Sequence, residues 1–332
     1  MLMKDAMILN KKETLKSMLE QFKSEVNEGL SNSVKSLPSK FFYDKKGDEL
    51  FVEIMHLPEY YVTRSEHEIF KNKSLSIIQA LQLKPDIYFE LIELGAGDGM
   101  KTKELLQQLS LQNFNFDYLP IDISQNALDK LEMDLNKEMP NISVKTKQGD
   151  YFDVLESLKE NQHPKVILFL GSNIGNMSDE LATHFMSNLG ENLGFGDKIF
   201  LGVDLIKPST VVLPAYNDSQ GITAAFNLNL LDRINRELDA DFDIEHFKHQ
   251  PEYDEKEGIA TSFLVSTKEQ NVFIKKLNKT FHFAKGEKVL TEISRKYNDK
   301  ILNKIIKKAN FAIRDRITDS KKYFANYILE RL

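Results

Sequence analysis

Cysteine is missing from all 332 residues, so neither a disulfide nor a thiolate metal site can hold this chain together, and the composition suits a reducing cytoplasm. Long apolar runs are missing too. The longest, such as residues 166–170, are strand-sized and fall far short of a membrane span. Residues 1–12 mix Lys4, Asp5, Lys11 and Lys12 with an apolar patch too short and wrongly flanked for a secretory signal. Positive charge is not in excess: 44 Lys and Arg against 50 Asp and Glu leave a net charge of −6, so no global field attracts a polyphosphate chain. A small molecule is favoured over nucleic acid or membrane, and no obligate protein partner is evident. The basic stretch 296–308 reads as the solvated face of a helix. There is no internal repeat and no low-complexity tract, and the length allows one large or two modest domains.

What is present is strongly patterned. Leu15, Met18, Leu19, Phe22, Val26 and Leu30 recur at helical spacing over 13–30. Residues 37–64 are dense in aromatics, and Pro38 and Pro58 disfavour one unbroken helix there. Strands and helices then alternate: strands at 87–94, 117–123, 144–147, 166–170 and 199–203, with helices at 101–109 and 124–139. Such alternation implies a parallel sheet with right-handed crossovers and a ligand at the carboxyl ends of its strands. After Pro208 the texture changes. Ile222, Phe226, Leu230, Ile234 and Leu238 mark a long helix, and 263–265 and 272–274 read as antiparallel strands. Residues 310–317 and 323–329 flank a polar turn, a hairpin pattern. A terminal antiparallel hairpin on a parallel sheet is what a class I methyltransferase fold needs.

The stretch Leu91-Ile92-Glu93-Leu94-Gly95-Ala96-Gly97-Asp98-Gly99 ends an apolar strand in an acid and alternating glycines, ahead of a helix. Glycines let the backbone approach a ligand closely, and a helix start presents unpaired N–H groups. A dinucleotide fingerprint needs its third glycine one position later than Gly99. The acid-x-Gly-x-Gly spacing fits a pocket for the amino-acid end of S-adenosylmethionine. Two further strands end in acids: Asp122 offers two carboxylate oxygens to ribose hydroxyls, and Asp150 can accept from an adenine amino group while Tyr151 lies against the ring.

Taken with Leu37-Pro38-Ser39-Lys40-Phe41-Phe42-Tyr43-Asp44, Leu57-Pro58-Glu59-Tyr60-Tyr61, Gly171-Ser172-Asn173-Ile174-Gly175-Asn176, Ala215-Tyr216-Asn217-Asp218, Thr223-Ala224-Ala225-Phe226-Asn227 and Thr291-Glu292-Ile293-Ser294, these residues make the chain similar to the histidine-specific methyltransferases. That family includes enzymes that methylate the α-amino nitrogen of L-histidine in ergothioneine biosynthesis. The resemblance covers 36–297. It implies a class I S-adenosylmethionine-dependent, Rossmann-like methyltransferase domain from 65–206 with 297–332, and an α+β substrate domain from 10–64 with 207–296, with the active site between them. It also implies that Gly95, Gly97, Lys101, Asp122, Asp150 and Tyr151 contact the donor. Tyr60, Gly171, Asn176, Tyr216, Glu292 and Ser294 would bind the amino acid, with Tyr43 and Tyr60 as the catalytic tyrosines; no metal is implied.

Under this resemblance the neutral α-amino nitrogen attacks the sulfonium methyl in line, and three turns yield a betaine. Asn176 and Tyr216 would fix the amino acid's carboxylate and amine, while Glu292 and Ser294 would meet the two imidazole nitrogens. The family carries a methionine on the strand matching 259–264, where this chain has Ser262 or a neighbour, so another amino acid such as tryptophan stays open. A donor-binding protein without catalysis is the alternative of another class.

Overall fold

Prolines and side-chain caps set the boundaries of the first helices. The computed structural model describes residues 2–149, 151–157, 159 and 162–332, with side chains from residue 17 onward. Helix α1 (Leu2–Ser31) begins well before the periodic stretch at 13–30. Pro38 then precedes a single 3-10 turn, and the Asp44 carboxylate accepts the Gly47 N–H at 2.8 Å to start α2 (Lys45–His56). Pro58 follows, and α3 (Val62–Ala80) carries a kink at Lys73.

The alternating region runs β1 (Phe89–Leu94), α4 (Thr102–Leu111), β2 (Phe116–Asp122), α5 (Gln125–Glu138), β3 (Ser143–Val144), β4 (Lys147–Gln148), α6 (Tyr151–Ser157), β5 (Lys165–Phe169), α7 (Asp179–Glu191) and β6 (Lys198–Asp204). Ser124 and Ser178 cap α5 and α7 by accepting the N–H groups of Ala127 and Leu181. The strand expected over 144–147 is two short pieces, β3 and β4, each paired with β2. Next come α8 (Ser209–Tyr216), α9 (Ile222–Leu238), β7 (Phe247–Asp254), β8 (Ile259–Ser266), β9 (Gln270–Ile274), β10 (Lys279–Phe283) and β11 (Lys288–Arg295). The chain closes with α10 (Asp299–Ile306), β12 (Phe311–Thr318) and β13 (Phe324–Arg331).

These elements form two units, Met1–Tyr60 with Pro208–Ser294, and Tyr61–Lys207 with Arg295–Leu332. The second unit is built on a sheet of order β12-β13-β6-β5-β1-β2-β3, with β4 beside β2. Strands β1, β2, β5 and β6 are parallel, while β13 runs antiparallel to β6 and β12. Every residue of β1 and β5 is buried, as strands covered on both faces must be. The order reverses between β1 and β5, which makes their carboxyl ends the switch point where ligands bind in such sheets.

The first unit holds a three-stranded sheet of order β11-β8-β7 and a β9–β10 pair. Phe22, Leu37, Phe226, Leu230, Ile234 and Phe283 form its core with α9. The strands expected at 263–265 and 272–274 exist as β8 and β9, but they belong to different sheets. The last residues of β8 are already bonded: Ser266 N–H donates to Glu287 O, Gly286 N–H donates to Ser266 O, and Thr267 N–H donates to His246 O. That leaves β9 to pair with β10 instead.

The basic stretch 296–308 needs one correction. Lys300, Lys304, Lys307 and Lys308 are exposed along α10 and its end, but Lys296 is 1% exposed. It lies 2.8 Å from the Asp204 carboxylate, which also takes the Lys207 ammonium and, at 2.8 Å, the Tyr61 hydroxyl. Burial of Lys207 outweighs Asp204 and pushes its pKa down to about 8, with Lys296 adding to the depression. Two ammonium groups thus share one carboxylate. Lys296→Met is therefore expected to cost no more than about 1 kcal/mol of stability, because Lys207 still pairs Asp204 and loses a like charge. Denaturant unfolding checks the first point, and an upward shift of the Lys207 titration by NMR checks the second.

Candidate active site

The residues expected to contact the donor sit at the carboxyl ends of β1, β2 and β4. Gly95, Gly97 and Gly99 all adopt left-handed backbone, with φ of +74°, +56° and +64°. Their environments differ. A Cβ on Gly95 would come 2.7 Å from the Tyr151 hydroxyl, one on Gly99 would strike Leu131 at 2.6 Å, and one on Gly97 would meet nothing within 4 Å. Gly99 therefore serves packing against α5, while the loop is open above Gly97.

The β1–β2 register sets Asp122 beside this loop. Gly95 N–H donates to Ile121 O at 2.9 Å, Gly97 N–H to one Asp122 oxygen at 3.3 Å, and Ser124 N–H to the other at 2.9 Å. Each oxygen keeps an acceptor position for a ligand. Asp150 lies outside the described residues. Tyr151 opens α6, packed edge-on at 6.4 Å against Phe169.

Glu93, the acid before the loop, is 3% exposed and accepts from Thr102 Oγ1 at 2.8 Å and the Tyr118 hydroxyl at 2.5 Å. It ties β1 to the first residue of α4 and to β2, which makes it a positioning residue. Burial pushes its pKa up to about 7, against the pull of both hydroxyls and of Lys101. The folded state thus binds a proton that the unfolded chain releases, so this group's stabilisation is full below the ordinary carboxyl pKa and is lost as pH rises through 7. Glu93→Gln keeps both contacts, because either hydroxyl can turn to accept from the amide. Its unfolding free energy relative to wild type is expected to rise by about 3 kcal/mol between pH 4.5 and 8. Parallel denaturant titrations across that range measure this; a flat difference contradicts it.

Glu66, on α3, was not anticipated from the sequence. It is wholly buried. One oxygen accepts the Gly171 N–H at 2.8 Å and pairs with the Lys101 ammonium at 2.5 Å; the other accepts from Asn326 Nδ2 at 2.9 Å. Lys101 is thereby committed to Glu66, and both loops are fixed to α3 and β13. One signal was available: Gly202, an isolated glycine inside a strand, marks a close approach. A Cβ there would lie 2.1 Å from Glu66 Oε1. Beyond Gly171 (φ +72°), Ser172 is also left-handed at φ +59°, and its hydroxyl accepts the Asp204 N–H at 2.9 Å. The 3-10 turn Asn173–Asn176 follows, with Asn176 exposed.

The remaining expected residues gather in the other unit. Tyr43 is edge-on to Phe51 at 5.5 Å and Phe226 at 5.7 Å, and Tyr60 is edge-on to Phe51 at 6.3 Å. Although Tyr43 is 45% exposed as a residue, its hydroxyl end is desolvated by the surrounding protein, and this, and then the charges of Glu292, Asp48 and Tyr216, push it above its ordinary pKa, so it stays protonated. Tyr216 ends α8 and is buried. On β11, Glu292 accepts at 3.0 Å from the hydroxyl of Ser262, a residue of zero exposure on β8. Thr291 Oγ1 lies 3.0 Å from Ser262 O and 2.9 Å from Asn227 Oδ1, pinning β11 to β8 and α9, and Ser294 is buried further along β11. Ser262 is thus a support for Glu292, a role the sequence did not suggest.

A parallel sheet reversing at β1/β5, an acid-and-glycine loop at that point, Asp122 at the next strand end and a terminal antiparallel hairpin define a class I S-adenosylmethionine-dependent methyltransferase. The loop fits this donor, with open space above Gly97 and acceptor positions left on Asp122. The chain belongs to the family of histidine-specific, S-adenosylmethionine-dependent methyltransferases, whose model matches residues 22–331. It is 36% identical to the histidine N-alpha-methyltransferase of Mycolicibacterium smegmatis, over 85% of this chain and 86% of that one. It is 35% identical to that of Mycobacterium tuberculosis, over 82% and 83%. Ergothioneine biosynthesis protein 1 of Schizosaccharomyces pombe is 29% identical over 92% of this chain and 40% of its own length. No helix among the described residues is long and apolar enough to cross a membrane, and no group of three or more His, Asp or Glu among them is placed to hold a metal.

Proposed function

We propose that this enzyme methylates the α-amino nitrogen of L-histidine, up to three times. The observation that carries the reading is the Ser262–Glu292 pair: a buried hydroxyl holds a carboxylate in place, an acceptor suited to a ring N–H. Its support from relatives is that two at 36% and 35% identity bear the name histidine N-alpha-methyltransferase.

In this reading residues 65–206 with 297–332 serve the donor, and 10–64 with 207–296 serve the amino acid. Gly95 and Gly97 give the donor's amino-acid end close access to backbone, Asp122 takes its ribose hydroxyls, and Asp150 and Tyr151 take its adenine. Lys101 acts through Glu66. When bound, S-adenosylmethionine supplies an electrophilic methyl group and a positive sulfonium. Asn176, Gly171 and Tyr216 hold the amino acid's carboxylate and amine, while Glu292 and Ser294 bind its ring nitrogens. Orientation of the amine is the largest part of catalysis. The amine must be neutral to attack. Tyr43 stays protonated, so it passes a proton to water through its hydroxyl rather than acting as a phenolate base, and Tyr60 is the second catalytic tyrosine. Their rings also suit a methylated, cationic product.

We place the reaction in the cytoplasm, on a free small molecule, without nucleic acid or protein partner; the cysteine-free composition supports a reducing compartment. Methyl transfer measured with histidine, tryptophan and tyrosine at equal concentration tests the reading. Histidine is expected to dominate turnover, and a preference for tryptophan or no histidine turnover overturns it.

A further inference from the structure

Strand β7 carries a histidine that the reaction described above does not use. His249 stands directly opposite Leu264 in the antiparallel β7–β8 pair, and Pro251 stands opposite Ser262. Residues two apart on a strand share a face, so His249 lies on the same side of the sheet as Ser262, as its diagonal neighbour at about 7–8 Å. Ser262 is the residue that holds Glu292.

The Nε2 of His249 is closed off from solvent and has no hydrogen-bond partner among the described residues. Such an atom is rare in folded proteins. The nearby Asp218 does not supply the partner, because its carboxylate is spent on the N–H groups of Gln220, Ile222 and Thr223 at the start of α9. Burial pushes the His249 pKa down to about 4, against the pull of Asp218, so the ring is neutral and has both a donor and an acceptor nitrogen. Tyr216 lies two residues before Asp218 in the chain. His249 is therefore bracketed by two parts of the amino-acid site, the Ser262–Glu292 pair on its own sheet and the Tyr216–Asp218 segment.

We propose that His249 is a specificity-determining residue, whose Nε2 shares with Ser294, in a three-centre hydrogen bond, the substrate ring nitrogen that Glu292 does not take. This rests on the reading that Glu292 receives the ring of an amino acid. A buried nitrogen that is satisfied only by the bound side chain penalises any substrate lacking a polar atom there. It also costs the free protein stability that an apolar ring would not.

The test compares wild type with His249→Phe and His249→Gln in full-length protein, reading KM and kcat for L-histidine, donor affinity and Tm. His249→Phe is expected to raise KM about 10- to 100-fold, leave donor affinity unchanged, and leave Tm unchanged or higher. His249→Gln, which sets an amide nitrogen near the Nε2 position, is expected to stay within about threefold of wild type. A His249→Phe enzyme with KM within about threefold overturns the proposal, as does a joint fall in Tm, donor affinity and KM performance, which marks a structural role. If His249→Phe does not fold, Asn replaces it: its amide sits nearer the Nδ1 position, so raised KM in Asn but not in Gln supports the proposal, and equal KM values overturn it. A wild type that methylates other amino acids but not histidine shows instead that the substrate reading itself is wrong.

Discussion

Asp122→Ala is expected to weaken binding of S-adenosylmethionine by 100-fold or more. Each Asp122 oxygen already accepts one backbone N–H, from Gly97 and from Ser124, which aims the carboxylate and leaves one acceptor position apiece. Hydrogen bonds to a charged group contribute about 1.5–3 kcal/mol each, so two ribose hydroxyls account for roughly 3–6 kcal/mol. That corresponds to factors from about 10² to 10⁴ in Kd. Alanine also strips Gly97 N–H of its acceptor and loosens the one part of the loop with open space above it. Asp122→Asn keeps one acceptor oxygen and should fall between the two. Isothermal calorimetry measures all three, with Tm as the control for folding; an alanine variant within about fivefold of wild type removes Asp122 from the donor site.

Glu292→Ala carries the second large effect, on the amino acid and not on the donor. Its carboxylate is held by the buried Ser262 hydroxyl, so alanine removes the partner proposed for the substrate's ring and leaves that hydroxyl without its acceptor. Sites built to hydrogen-bond a polar ring lose about 10³ or more when the pairing fails, because the orphaned groups stay desolvated. A drop in kcat/KM for histidine of that order is expected, with donor affinity within twofold of wild type. Ser262→Ala should lie well short of this, since it removes the support and keeps the carboxylate. Steady-state kinetics with separate donor titrations distinguish the two half-sites, and a Glu292→Ala enzyme with unchanged kcat/KM contradicts the assignment.

Much of the sheet was legible because its strands are buried on both faces and therefore read as apolar runs, as in β1, β5 and β6. Helix α9 was legible for the complementary reason, a fourfold-spaced apolar stripe from Ile222 to Leu238. Strand β7 hid because its residues are mostly half-buried and polar, and the partners of β8 and β9 could not be read because the backbone groups that decide pairing leave no trace in side-chain pattern. Long-range polar contacts were the least visible. Lys296 looked like one more charge in a basic run, although Asp204 lies on a distant strand, and Glu66 sat in a mixed polar helix whose only advertisement was Gly202. Glu93 and Asp122 could be placed on their strands beforehand because apolar runs and the glycine turn mark where β1 and β2 end. Residues that hold these groups in position have no such local mark.

In the proposed reaction a histidine α-nitrogen receives the methyl group. Mass spectrometry of the products formed from L-histidine and methyl-labelled S-adenosylmethionine reports substrate, position and methyl count together. Labelled histidine carrying up to three methyl groups, all on the α-amino nitrogen, is the expected product. Label on an imidazole nitrogen, or histidine recovered unlabelled while another amino acid is methylated, would contradict it.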